Sequence, residues 1–206
     1  MASTPRPRSE ARRECASGEE AGVLSLTGVD LVTEVVRTPR LVLRPHRPDD
    51  VDAVHRASQD PESKRWISAI SDPYTREDAR RFVEEIAPRE RSERLGLSVV
   101  VEDDEGLAGT AGLNLRPGRL GPEIGYSIAP WARRRGYATE TARALAEWGF
   151  AHGAPRVHLY VDVRNSPSLA VAGRAGFTQE GVVRSCLAYR DGTRGDAALF
   201  GRLAGE

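Results

Sequence analysis

The chain is poor in lysine and cysteine, has no net charge, and lacks any long apolar run. Lys64 is the one lysine among 30 basic residues, and 30 acidic residues balance them. The overall charge therefore directs the protein to neither nucleic acid nor membrane, and any basic patch must be local. Cys15 and Cys186 are too few, and too different in setting, for a disulfide framework or a metal site; a reducing cytoplasm fits. His46, His55 and His152 fall at no metal-ligand spacing, so no metal is expected, and His158, within a strand, is read as structural. A Gly-x-Gly-x-x-Gly turn after a first strand is missing too, which removes dinucleotide binding. The run from Val23 to Val32 is broken by Gly28 and Asp30, and residues 1–20 hold no apolar core, so neither a signal peptide nor a membrane span is read.

What is present fits one domain of ordinary size plus a tail, within 206 residues. Residues 1–36 are read as a flexible N-terminal extension with at most one weak strand, and 37–206 as the domain. Thr38-Pro-Arg-Leu-Val-Leu-Arg-Pro45 reads as a strand. Asp49 and Asp50 cap a short helix through Val51, Val54 and Ala57. Residues 60–74 read as an ordered loop whose Trp66 is either core or a pocket wall, with core packing expected. Thr75-Arg-Glu-Asp78 has the form of a capping box, and Ala79, Phe82, Val83 and Ile86 continue a helix that Pro88 should end. Leu97–Glu102 and Leu107–Leu115 form a hairpin. The strand from Glu123 to Ala129, a helix to Ala151 and the strand from Val157 to Val163 make a crossover with two parallel strands. A short helix from Asn165 to Gly176 and a final antiparallel pair complete the chain.

The most informative stretch runs from Glu123 to Thr139. A strand enters a tight basic turn, and the turn opens an amphipathic helix. The first helical turn has backbone N–H groups without intrahelical partners, and the helix dipole makes that end positive, so it suits a phosphate. Gly136 admits close approach to the backbone, Ala138 keeps the next turn thin, and Arg133, Arg134 and Arg135 add positive charge. Three cations at this end oppose the dipole, which favours a bound anion over a merely solvated face.

Arg133-x-x-Gly136-x-Ala138 after one strand, with Asn165-x-x-Ser168 leading to Gly176-Phe177 after the next, resembles the GNAT superfamily of acyl-CoA-dependent N-acetyltransferases. Within it the chain is most similar to the RimJ and RimL ribosomal-protein N-terminal acetyltransferase branch. Thr38 to Pro45, Glu123-Ile-Gly-Tyr-Ser-Ile128, Gly136-Tyr-Ala-Thr-Glu140 and Glu180-Gly181 carry that similarity, which spans roughly residues 37–203. It implies an α+β fold of mixed α/β character: a twisted mixed sheet whose central parallel strands splay apart, flanked by helices. The pantetheine arm of acetyl-CoA would lie in the split. On this resemblance Ile128 and Ala129 offer backbone groups to pantetheine. The turn of Arg133, Arg134, Arg135, Gly136, Tyr137, Ala138 and Thr139 holds the pyrophosphate, and Asn165 reaches the pantetheine arm. Read locally, Ser166 would cap the helix and Asn165 merely precede it.

Acetyl transfer to an amine needs a neutral nucleophile, a polarised carbonyl and a proton for the departing thiolate. The resemblance assigns the first task to Glu123, whose alternative is a strand-edge salt bridge. A protein α-amine has a pKa of about 7.7–8.0 and a lysine amine about 10.4, so the neutral form of the latter costs about 3.4 kcal/mol more. Many relatives place a tyrosine as thiolate acid where this chain has Ala172. Ser168 is the substitute candidate, although its hydroxyl could serve the helix backbone instead. Leu187 stands where some members of the branch carry a carboxylate near the acceptor amine, which weighs against a ribosomal substrate and leaves the acceptor open. The expectation is therefore a monomeric or homodimeric acetyl-CoA-dependent N-acetyltransferase acting on a protein α-amine or a small-molecule amine by direct attack. Neither nucleic acid nor membrane is an expected partner. The alternative is a GNAT-fold module that binds CoA or acyl-CoA without catalysis.

Overall fold

The computed structural model describes residues 24–206. Its centre is one eight-stranded sheet in the order β1-β2-β3-β4-β5-β6-β8-β7. The strands are β1 (Val36–Arg37), β2 (Val42–Arg44), β3 (Gly96–Asp103), β4 (Gly106–Asn114), β5 (Glu123–Ile128), β6 (Arg156–Asp162), β7 (Thr178–Ala188) and β8 (Arg194–Leu203). All neighbouring pairs are antiparallel except β5 and β6. The β3–β4 hairpin forms where a buried valine run, Val99 to Val101, meets the polar turn Asp104-Glu105, and Gly106 closes the turn at φ +114°. β5 and β6 pair at a single position, Glu123 with His158, and His158 donates its amide to Pro122 O at 2.9 Å. Beyond that point the two strands part, which gives the expected splay.

Helix α5 (Tyr137–Ala151) connects β5 to β6 and lays Ala142, Leu145, Ala146 and Gly149 on the sheet. Gly149 is needed for closeness: a Cβ there would meet Val157 Cγ1 at 3.1 Å. Leu97, Val99, Leu113, Val157 and Leu159 complete this core from the strands. Each such side chain, fully buried, contributes about 1.5–3 kcal/mol. A smaller cluster of Val51, Val54, Ala79 and Val83 joins α1 (Val51–Ser58) to α3 (Arg76–Arg81).

Several local expectations change. Residues 60–74 are not all loop: Asp60 accepts the Ser63 amide at 2.8 Å and Pro61 starts the short helix α2 (Pro61–Trp66). Pro88 does not end its helix, because a π-turn at Phe82–Ile86 widens the ladder and lets α4 (Ala87–Ser92) carry the proline in its first turn. Asp50 does not cap α1 by its side chain; its buried carboxylate pairs with Arg44 at 2.8 Å and accepts the Arg47 amide. The extension expected at 1–36 lies outside the described residues up to 23. From 24 onward it packs on the domain: Leu31 is buried, Ser25 donates its amide to His152 O at 2.9 Å, and Trp148 Nε1 donates to Glu34 Oε1 at 2.9 Å. The folded unit thus begins before residue 37.

Candidate active site in the sheet split

Two cavities, of about 610 Å3 and about 550 Å3, open on either side of the parted strands and share Trp66, Ile67, Tyr126, Ser127, Asn165 and Ser168. The larger lies over the start of α5. There the chain turns twice through left-handed backbone, at Arg134 (φ 62°) and Gly136 (φ 83°), before the helix begins at Tyr137 rather than at Arg134. Gly136 is the N-cap and offers no side chain to the first-turn amides. Uncapped N–H groups at the head of a fifteen-residue helix fit a diphosphate. Arg134, Gly136, Tyr137, Ala138 and Thr139 all line this cavity.

The three arginines have different fates. Arg133 lines the cavity but is a strut: its guanidinium binds the Asp60 carboxylate, donates to Ser63 Oγ at 3.0 Å and to Ile128 O at 3.1 Å. Arg135 turns away, toward Glu105 at 3.2 Å and Asp103 at 3.6 Å in the β3–β4 turn. Arg134 has no ion-pair partner among the described residues, so it and Arg174 supply the open positive charge at this wall. Ile128 lines the cavity, whereas Ala129 does not: it is buried, and its amide donates to Ala108 O at 2.8 Å.

A brace unnoticed in the sequence holds this turn. Glu140, one turn into α5, accepts from Thr38 Oγ1 at 2.6 Å and from Arg40 Nε at 2.8 Å, and Arg40 Nη1 donates to Arg135 O at 2.9 Å. The Thr38-Pro-Arg40 corner therefore clamps the turn that opens α5.

At the junction of the cavities stands α6 (Ser166–Arg174). Asn165 is itself the N-cap, its Oδ1 accepting the Ser168 amide at 3.1 Å, so Ser166 is not the capping residue. That bond fixes Ser168 in the first turn. Ser168 Oγ and the Tyr126 hydroxyl lie 2.8 Å apart, across the split from each other. Burial pushes the Tyr126 phenol above its usual range, opposed by the hydrogen bond to Ser168, so the phenol is protonated at neutral pH. Ala172 is fully buried in the core and faces neither cavity. The sequence leaves Tyr126 between acceptor-pocket wall and core, because strand tyrosines are more often core. The available signal was phase: period two sets Tyr126 opposite to Glu123 on β5, hence toward α6.

The second cavity contains Glu123, exposed over 43% of its side chain, with His158 Nε2 4.0 Å from its Oε2. Burial holds His158 below the usual histidine range, against the pull of Glu123, so its ring is neutral at neutral pH. Asp162 in the same cavity is already committed. It bonds Arg164 at 2.9 Å and accepts the Tyr189 hydroxyl at 2.5 Å, and the Arg164 bond draws its pKa down to about 2. Leu187 and Trp66 form walls, so Trp66 is not core; its indole donates to Glu62 at 2.6 Å and sits under Arg65. Among the described residues no cluster of His, Cys, Asp and Glu could hold a metal ion, and no helix is long and apolar enough to cross a membrane.

The chain is similar to known proteins in both sequence and fold. The profile of the family described as "Acetyltransferase (GNAT) domain" matches residues 40–178. An uncharacterised N-acetyltransferase of Bacillus subtilis, YoaA, is 29% identical over 170 residues, covering 81% of this chain and 94% of that one. A solved GNAT-family acetyltransferase from Bacillus anthracis superposes with a TM-score of 0.72 at 25% identity, covering 84% of this chain and 100% of its own. RimJ from Mycobacterium smegmatis, solved in complex with CoA-disulfide, superposes with a TM-score of 0.71 at 24% identity, covering 83% and 86%.

Proposed function

The chain belongs to the acetyltransferase (GNAT) domain family, and from that premise we propose that it transfers acetyl from acetyl-CoA to a primary amine by direct attack in a ternary complex. The observation that carries this reading is the pair of cavities meeting at Tyr126 and Ser168, one walled by the uncapped start of α5 and the other by Glu123. Acetyl-CoA would supply the activated acyl group as a thioester. The amides of Tyr137, Ala138 and Thr139 hold its pyrophosphate, with Arg134 and Arg174 nearby. Asn165 orients α6. Ile128 presents backbone beside the pantetheine arm.

Glu123 takes the proton from the incoming ammonium, directly or through one water. Of the cavity carboxylates it is the one at the point where β5 and β6 part; Asp162 is held by Arg164 and Tyr189, and Glu90 lies beside Arg116 at 4.0 Å. After attack the sulfur leaves as thiolate. Ser168 donates its hydroxyl proton to that sulfur, and Tyr126 returns one to Ser168 Oγ, so that the phenol stands in for the tyrosine missing at position 172. A free phenol, near pKa 10, lies about 1.5 units above a thiol near 8.5, a gap of about 2 kcal/mol that the burial of Tyr126 widens, whereas serine alone is a far weaker acid still.

The acceptor is a protein α-amine or a small-molecule amine. Likeness to RimJ supports the first and Leu187 the second. Steady-state kinetics on a panel of peptide and small-molecule amines tests the reading. Glu123→Gln should flatten the acidic limb of the pH–rate profile and slow amines of high pKa most. CoA binding without release of CoA from acetyl-CoA by any amine would select a non-catalytic binding module instead.

A further inference from the structure

Gly112 on β4 and Gly125 on β5 are directly cross-strand partners, and both face the 550 Å3 cavity. Neither has the positive φ that calls for glycine. A Cβ built on Gly125 would meet nothing within 4 Å, and one on Gly112 only ordinary contacts at 3.5 and 3.7 Å. Glycine in mid-strand weakens a strand through lost packing and added chain entropy. No internal requirement explains the pair, so the space above it is kept clear for something outside the chain. The flanking positions on this face are also short or polar: Glu123 and Ser127 on β5, Asn114 and Thr110 on β4.

We infer that Gly112 and Gly125 set the width of the acceptor site, leaving bare backbone for a branched group next to the reacting amine. This rests on the acetyltransferase reading. Glu123 begins the face and Ser127 lies toward the split, so a residue-long acceptor with its amine near Glu123 places its first branch over Gly125. A slim linear amine passes above the floor without using it.

Gly125→Ala and Gly112→Ala test this with two probes, leucinamide and n-hexylamine. In Gly125→Ala the KM for leucinamide should rise about tenfold, the discrimination a single methylene gives in a tight site, with n-hexylamine changed less than about twofold. The Tm of Gly125→Ala should stay level or rise, since the added methyl touches nothing, and CoA affinity by calorimetry should not move. Equal changes for the two amines, or a fallen Tm, would overturn the assignment of width. Loss of CoA affinity in the variants would give the face to the cofactor and overturn it as well. If the unsubstituted protein binds no CoA, the acetyltransferase reading itself fails.

Discussion

Replacing Arg40 with glutamine should weaken CoA binding although Arg40 lines neither cavity. Glu140 places a carboxylate in the first turn of α5, beside the proposed pyrophosphate seat, with only 17% of its side chain exposed. Arg40 neutralises it through Nε at 2.8 Å and Nη2 at 2.5 Å. With Arg40 gone, Glu140 would face the diphosphate as an uncompensated like charge. At a separation of about 8 Å and an effective dielectric of about 40, between bulk water and a partly buried site, the repulsion is roughly 1 kcal/mol per charge. Arg40 itself is half exposed, so solvent screening already argues against a larger figure. The expected result is a CoA Kd about 5- to 30-fold weaker by calorimetry at low salt, as one or both diphosphate charges are felt. At 1 M salt, where the Debye length falls to about 3 Å, most of the difference should vanish. The double variant Arg40→Gln, Glu140→Gln should recover most of the lost affinity, because the repelling carboxylate is removed with its partner. A Kd unchanged in Arg40→Gln, or a loss that neither salt nor the second substitution relieves, would refute the electrostatic account.

Other outcomes follow from the same structure. Tyr126→Phe and Ser168→Ala should each lower kcat by about 10- to 100-fold with little effect on acceptor KM, and the double variant should lose no more than the worse single one, since the two hydroxyls act as a unit; additive losses measured by steady-state kinetics would separate them. His46 is packed against Phe82 with neither ring nitrogen partnered, and burial lowers its pKa from 6.5 to about 4. A folded-state pKa below the unfolded one favours folding above about 6.5, an advantage lost as pH falls toward 4 and worth about 3 kcal/mol. Urea titrations should show that decline in the native protein and a flatter profile over the same window in His46→Leu.

Much of the architecture was legible because it is written in local pattern. The turn at Asp103-Asp-Glu-Gly106 between two β-rich runs specified the β3–β4 hairpin, and the β–α–β order from Glu123 to Val163 specified the parallel pair. The turn at the head of α5 was legible through Gly136 and the arginines around it. What those arginines do was not, because it depends on carboxylates distant in sequence: Asp60 for Arg133, Glu105 for Arg135. The Tyr126–Ser168 contact joins residues 42 positions apart and exists only once the strands part. Pro88 misled because a π-turn can absorb a proline that an unbroken α-ladder cannot. Residues 24–36 misled because their few apolar side chains, Leu31 above all, gain a core that only the folded domain provides.

The single ladder position shared by β5 and β6 makes the sheet a hinged pair of leaves. β1 to β5 form one leaf and β6, β8 and β7 the other, and the peptide passes between them once, through α5 and the turn near Gly153. A molecule seated in the gap would touch both leaves and act as a wedge that sets the angle between them. CoA should then slow amide exchange along the inner margins of β5 and β6 more than anywhere else, and a nick at residues 152–155 should cut the covalent spine while leaving every strand pairing available for reassembly.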